Sequence, residues 1–302
     1  MREPICTDSS LAADEPLLGS APHATAWVCL EQTGPWGRKA FTTSHLDAEV
    51  GAAIERLAAD VGARPALIRR PGRHADLQRG ERVVFVASTR PDAPWLLTAT
   101  VSDPAVLLDL DWAAAARGDR DAVRASLPTL TTSSAALLLV CTNGTRDTCC
   151  ARLGRPVAVA AAAEWPDQVW EVTHTSGHRF APTTVLLPSG YLHGRILDAA
   201  KVLDAAVRGE VVLDGLRGRT TWPSAGQVAE GAVREQEAIT AMDAVAVAQE
   251  GDDLWSVAHR DGRRWQVRVA SYEDGLSADS CGKEPTPVRR WRAAVEEFTP
   301  AR

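Results

Sequence analysis

The sequence predicts an α/β protein: a mixed sheet with flanking helices, in two similar halves, followed by a small α+β C-terminal appendage. Three observations carry that expectation. AALLLVC (135–141) is a continuous apolar run, the mark of a strand buried on both faces. The stretches after it follow in the order strand, helix, strand, strand, strand, helix. Residues 24–118 repeat that order.

In the C-terminal half, TNGTRDT leaves the first strand as a polar loop. CARLGRPVAVAAAAE (150–164) reads as an alanine-rich helix that tolerates Pro156 in its first turns. DQVWEVTHTS (167–176) alternates apolar and polar residues and reads as the second strand. TTVLLP (183–188) and YLHGRIL (191–197) are the third and fourth, with a hairpin signal at Ser189–Gly190. DAAKVLDAAVRGE (198–210) closes the unit as a helix. A strand–helix–strand unit followed by a hairpin and a helix is the thioredoxin-like arrangement.

The N-terminal half supplies strands at 24–31, 63–70, 82–88 and 93–101 and helices at 46–62 and 102–118. Aligning WVCLEQTGPWGRKA with LLVCTNGTRDTCCA pairs Cys29 with Cys141 and Arg38 with Cys150. Aligning RRPGRH with HTSGH pairs His74 with His178. The pattern suggests an old duplication in which only the second half keeps metal ligands. The expected units are a thioredoxin-like half without ligands (1–130), a half with the site (131–215), and the appendage (225–302). The appendage comprises a helix (226–247), a hairpin (253–273) turning at Asp261–Gly262, and a turn-rich loop (277–291).

The 302 residues suffice for one large domain or two ordinary ones, and 45% apolar with 24% charged residues is a soluble globular composition. A net charge of -6 and a pI near 5.7 argue against a nucleic-acid partner. No apolar run approaches the ~20 residues of a membrane span. MREPICTDSSLAADEP lacks the apolar core of a signal peptide, so a cytoplasmic protein without membrane contacts is expected. Neither a dinucleotide fingerprint nor a Walker motif is present, so no nucleotide is expected.

The cysteines stand at 6, 29, 141, 149, 150 and 281. In a cytoplasmic chain they do not suggest a disulfide scaffold, and three within ten residues point to metal or redox chemistry. Cys29, inside ATAWVCLE, reads as a small core residue. Cys141 ends a buried strand, and Cys150 opens a helix whose dipole favours thiolate. His174 and His178 end the next strand, with Gly177 letting the loop bend. Both loops leave the same end of the sheet, so these four side chains should converge. Zinc accepts two thiolates and two imidazoles but usually joins cysteines two to four residues apart; these are nine apart. A 2Fe–2S cluster spans a wider donor set and admits histidine on one iron. On the residues alone, zinc and cluster both remain open.

Four blocks then stand out: residues 6–40 (CTDSSLAADEPLLGS to GPWGRKA), CTNGTRDTCCARLGRPVA (141–158), HTSGHRFAPTTVLLPSGYLHGRI (174–196) and SCGKEP (280–285). Together they resemble the sucrase/ferredoxin-like family over most of the chain. That family is similar to thioredoxin-like 2Fe–2S ferredoxins, with H-x3-H in place of the last C-x3-C ligand pair. The resemblance implies a 2Fe–2S cluster on Cys141, Cys150, His174 and His178. It implies an electron carrier more than a catalyst, with a reductase and an electron acceptor as partners. Cys149, one residue off register, receives no ligand role, and Cys6 and Cys281 are flagged by the resemblance alone. An imidazole ligand keeps a second N–H, so electron transfer is expected to couple to protons. No paired-carboxylate pattern for glycoside hydrolysis is present.

Two other readings compete. One is a thioredoxin-like thiol oxidoreductase using Cys149 and Cys150, although no C-x-x-C is present. The other is a structural zinc domain that binds a partner. Arg146 and Asp147 are expected to bond each other and fix their loop. Arg179 and Arg195 are expected in solvent, with cluster neutralisation or partner docking as their functional alternative. His193 and His259 lie in strand patterns without an evident partner.

Overall fold

The computed structural model describes residues 5–72 and 80–298. Its strands are β1 (Ala26–Glu31), β2 (Arg64–Arg69), β3 (Arg82–Ser88), β4 (Trp95–Val101), β5 (Thr131–Ser133), β6 (Leu137–Cys141), β7 (Val169–Val172), β8 (Thr183–Leu187), β9 (Tyr191–Gly194), β10 (Leu216–Arg219), β11 (Val245–Gln249), β12 (Leu254–His259), β13 (Arg264–Ser277) and β14 (Thr286–Glu297). Its α-helices are α1 (Cys6–Ala12), α2 (Ala40–Thr43), α3 (Ala48–Asp60), α4 (Trp112–Arg117), α5 (Arg120–Ser126), α6 (Arg155–Glu164), α7 (Ala200–Val207) and α8 (Ser224–Glu237).

The fold is mixed α/β. One ten-stranded sheet has the order β10-β9-β8-β6-β7-β2-β1-β3-β4-β5, and β11 to β14 form a separate meander. Strands β1/β2 and β6/β7 are parallel, and every other neighbouring pair in the large sheet is antiparallel. Strands β1 and β6, mostly apolar and buried along their whole length, stand inside the sheet, as burial on both faces requires. Helices α3, α4 and α5 cover one outer face through a core that includes Val28, Leu30, Ile54 and Trp112. Helices α6 and α7 cover the other half through Leu138, Val140, Ala158 and Leu203.

The inner face holds Trp27, Cys29, Phe85, Leu139, Cys141, Trp170 and Val185 in one cluster. Strand β3 lies three places from β7 in the sheet, about 14 Å along a flat one. Yet the Phe85 and Trp170 rings meet edge to face with centroids 5.5 Å apart. The sheet is therefore rolled, so that its two halves pack on each other through this cluster.

The halves join at a short seam. Strands β2 and β7 pair only at Ile68↔Val172 and Arg69↔Glu171. Arg69 Nε donates to Glu171 Oε2 at 2.9 Å, and both side chains are buried. Arg69 also donates to the Gly34 carbonyl at 2.8 Å and stacks 3.9 Å from the Trp36 ring centre. Thr142 Oγ1, just past Cys141, donates to the same Glu171 oxygen at 2.9 Å.

Several elements differ from the sequence expectation. The helix expected over 102–118 splits into a 3-10 turn (Pro104–Leu108) and α4, each opened by an aspartate that caps it, Asp103 and Asp111. The helix expected over 226–247 stops at Glu237, where Ala238 turns left-handed at φ 53°. Val245 and Val247 beyond it alternate buried with exposed neighbours and pair with β12. Their period of two overrides the helical propensity of the alanines. The loop expected over 277–291 ends in β14, which pairs along β13 in a long hairpin. Helix α1 forms in a stretch for which the sequence predicts no element. Cys29 lies two residues before Glu31, the last β1 residue paired to β2, whereas Cys141 is the last β6 residue paired to β7. By strand register Glu31, not Cys29, occupies the corresponding strand end. His74 lies outside the described residues. Among those residues no helix is long and apolar enough to cross a membrane.

Breaking one side of a buried ion pair costs about 3–5 kcal/mol, because the other charge is stranded. Arg69→Met should therefore lower the urea unfolding free energy by about 3 kcal/mol. Arg69→Met with Glu171→Leu should recover most of that loss. A single-variant loss below about 1 kcal/mol would show that the seam does not depend on the pair.

Candidate metal centre

Parallel pairing sets the site. Because β6 and β7 run the same way, Cys141 and the loop after Val172 leave the sheet at one edge. Cys150 comes back to that edge through a π-helical turn (Cys150–Gly154) that feeds α6. Gly154 makes this approach possible: a Cβ there would lie 2.2 Å from the Cys141 carbonyl oxygen. Between the two histidines, Gly177 is left-handed (φ 68°), and a Cβ would lie 2.5 Å from the buried Arg217 guanidinium. Arg217 donates to the Ser176 carbonyl at 2.9 Å, moulding the loop.

The four expected residues come together. Cys150 Sγ is 3.6 Å from His178 Nδ1, and the His174 and His178 rings stack with centroids 4.6 Å apart. Cys141 and Cys150 are almost fully buried. Cys150, followed by His174, holds the Cys141 thiol well below its ordinary range against the effect of burial. Cys141 and Cys149 push Cys150 well above it. Burial lowers His174, and burial with His174 alongside lowers His178 to about 4. Both imidazoles are thus held neutral, the form a metal binds. His174 Nδ1 is buried with no hydrogen-bond partner, a position a metal would satisfy.

A second group lies beside the first. Cys6, Asp147, Cys149 and Cys281 bring their donor atoms within 4.8 Å of one another and could hold a metal ion. Cys6 Sγ is 3.4 Å from Cys149 Sγ and 3.6 Å from Cys281 Sγ. Asp147 Oδ1 is 3.1 Å from Cys149 Sγ and 3.7 Å from Cys6 Sγ. Burial works against the Asp147 charge, but hydrogen bonds from Cys281, Ser280 and Cys149 hold the carboxylate at about 2. Among the described residues only this group is tight enough for a single ion; the Cys141, Cys150, His174 and His178 donors are spread more widely. Sequence reasoning did not assemble it, because its members lie 132 or more residues apart except for Asp147 and Cys149. The available signal was that Cys6 and Cys281 sit in polar, turn-rich surroundings rather than in apolar runs.

Other expectations resolve differently. Arg146 donates to the Arg38 carbonyl at 3.4 Å, while Asp147 turns to Ser280 and the Cys281 amide. Arg179 pairs with Glu15 at 2.5 Å and Asp279 at 2.8 Å. Arg195 donates to Ser10 and to the Glu15 carbonyl. These two arginines pin the N-terminal segment. His193 is buried, bonds the Val212 carbonyl at 2.9 Å and is lowered to about 4 by burial. His259 pairs with Asp261 at 2.7 Å. A cleft of about 320 Å³ reaches His174 from solvent, lined by four basic side chains, Arg38, Lys39, Arg64 and Arg146, and one acidic one, Glu55.

Gly154→Ala must push the Cys150 turn away from the end of β6. Overpacking of this kind costs about 1–3 kcal/mol. The variant should melt at a lower temperature than wild type. Unchanged melting would refute this role for Gly154.

No curated protein and no solved structure matches the chain. The family model described as sucrase/ferredoxin-like matches residues 17–218. That span includes Cys141, Asp147, Cys149, Cys150, His174 and His178 but neither Cys6 nor Cys281. The chain belongs to the sucrase/ferredoxin-like family.

Proposed function

We propose that the protein carries a 2Fe–2S cluster on Cys141, Cys150, His174 and His178 and serves as an electron carrier of the thioredoxin-like ferredoxin type. The observation that carries this reading is the contrast between two donor sets. One is tight enough for a single ion; the other is wider, joins two buried thiols to two half-buried imidazoles, and leaves His174 Nδ1 without a partner. A wide set of two thiolates and two neutral imidazoles suits a cluster with two ligands per iron. Such a cluster supplies one-electron transfer.

The chain's own residues do the rest. Cys141 and Cys150 supply negative charge in a buried setting, and the histidines supply neutral donors. His178 turns Nδ1 toward Cys150, leaving Nε2 to hold a proton that can be exchanged as charge changes. Cys149 is engaged with Cys6 and Asp147, which weighs against Cys149 and Cys150 acting as a dithiol pair. Six free cysteines suit a reducing compartment such as the cytoplasm.

We read the halves as duplicated thioredoxin-like units (1–130 and 131–215) with an appendage (225–302). The orders β2-β1-β3-β4 and β7-β6-β8-β9, with matching strand directions, support that reading.

Anaerobically purified protein should contain about two irons and two acid-labile sulfides per chain and absorb visible light. Cys141→Ser and His174→Ala should each abolish the colour. Colourless wild-type protein whose iron content is negligible defeats the proposal.

The basic cleft suits a redox partner with an acidic face. Dithionite, a small anionic reductant, serves as the probe. Its reduction rate should fall as ionic strength rises, because screening weakens the attraction. Arg38→Glu with Lys39→Glu should slow it several-fold and flatten the salt dependence. A wild-type rate indifferent to salt rules out this cleft as the entry point.

A further inference from the structure

We propose that Cys6, Cys149, Cys281 and Asp147 bind one structural Zn²⁺, separate from the electron-transfer centre, which fastens both ends of the chain onto the cluster loop.

The donor spacing argues for one ion. Tetrahedral zinc with Zn–S bonds of about 2.3 Å places its sulfurs about 3.8 Å apart. The observed sulfur separations are 3.4 and 3.6 Å from Cys6, and the sulfur–oxygen separations are 3.1 and 3.7 Å. A disulfide needs about 2.05 Å, so these sulfurs are too far apart to be bonded. Three sulfurs with one shared neighbour would in any case leave one unpaired. Thiols are weak donors, so the S–H contacts among these sulfurs and the carboxylate leave them without a group that links them strongly. A divalent cation is such a group.

The donor set selects the metal. Three soft sulfurs and one carboxylate oxygen exclude magnesium and calcium, which take oxygen, and match tetrahedral zinc. Cys6, Asp147 and Cys149 are buried, and the four residues supply the four ligands of a closed structural site, whereas catalytic sites keep a water position. The surroundings are built to orient the ligands. Asp147 Oδ2 accepts from Ser280 Oγ and from the Cys281 amide, which aims Oδ1 at the sulfurs. The Cys6 amide donates to Cys281 Sγ at 3.4 Å and disperses its charge.

The consequence is positional. Cys6 opens α1, Cys281 lies in the turn between β13 and β14, and Asp147 and Cys149 lie in the loop ending at Cys150. Further bonds follow the same path: Ala278 N to Ser9 Oγ at 3.1 Å, and Arg290 to the Ala13 and Asp14 carbonyls. Zinc would close this three-way junction and fix the residue preceding Cys150.

The test is metal analysis of the full chain by plasma mass spectrometry, with iron and sulfide measured alongside. Wild type should hold about one zinc per chain. Cys281→Ser and Asp147→Asn should lose most of the zinc and keep iron and colour. Cys141→Ser with His174→Ala should lose iron and keep zinc. Stripping zinc from folded wild type should expose three thiols to a disulfide reagent and speed proteolysis of the N-terminal segment, and added Zn²⁺ should reverse both; this arm does not depend on any variant folding. Wild type without zinc overturns the proposal. So does zinc retained by Cys281→Ser but lost with Cys141 and His174, or a disulfide among the three cysteines in non-reducing mass spectra. Absent iron with this zinc pattern intact would remove only the electron-carrier reading.

Discussion

The Arg69–Glu171 pair is the interaction on which the arrangement of the site depends. Among the described residues the two halves of the large sheet share two ladder positions, and this pair is one of them. Two backbone pairings hold a seam weakly, and a buried charge pair fixes its register. The register has consequences on both sides. Through Gly34 and Trp36, Arg69 anchors the loop that carries Arg38 and Lys39. Through Thr142, Glu171 holds the residue that follows Cys141. The basic cleft and the first cysteine therefore share one origin. Asn143 adds a bond to the Gly37 carbonyl at 3.0 Å, closing the same loops against each other.

Much of the sheet was legible because burial on both faces writes itself as apolar runs. LLLVC, TTVLL and AWVCLE could be little else, and their order with two alanine-rich helices fixed the parallel pairs. The wide Cys/His set was legible for the same reason: parallel strands put consecutive loops at one edge, so two short motifs locate one site. Three things were not legible. The roll of the sheet depends on Phe85 meeting Trp170, a contact between strands with no local signature. In the appendage, alanine content masks a period of two at Val245 and Val247. The second donor group needed residues 6 and 281, and only the closed tertiary structure brings chain ends together.

The two donor groups divide the short segment 147–150 between them. Cys149 and Cys150 are adjacent at the start of a helical turn, where successive side chains diverge by about 100°. One points to Cys6 and Asp147, the other to Cys141 and His178. The vicinal pair therefore acts less as a dithiol than as a branch point. The backbone carbonyl of His178 ties the branches back together, lying 3.1 Å from Cys149 Sγ. A shift in either group must move the other.

This adjacency assigns a role to the tight group that chemistry at the wide one requires. If the wide set carries the proposed electron-transfer cluster, its ligands need a rigid surround, because reorganising them adds to the barrier. Cys150 is set in a π-helical turn, and His178 follows a left-handed glycine. Neither segment draws stiffness from sheet pairing. The loop ahead of Cys150 gains it from Asp147, bonded to Ser280 and Cys281. The segment at His178 gains it from Arg179, paired to Glu15 and Asp279. Both anchors come from segments distant in sequence, Glu15 on one side and Asp279 to Cys281 on the other. These segments thus line the side of the site that the sheet leaves open.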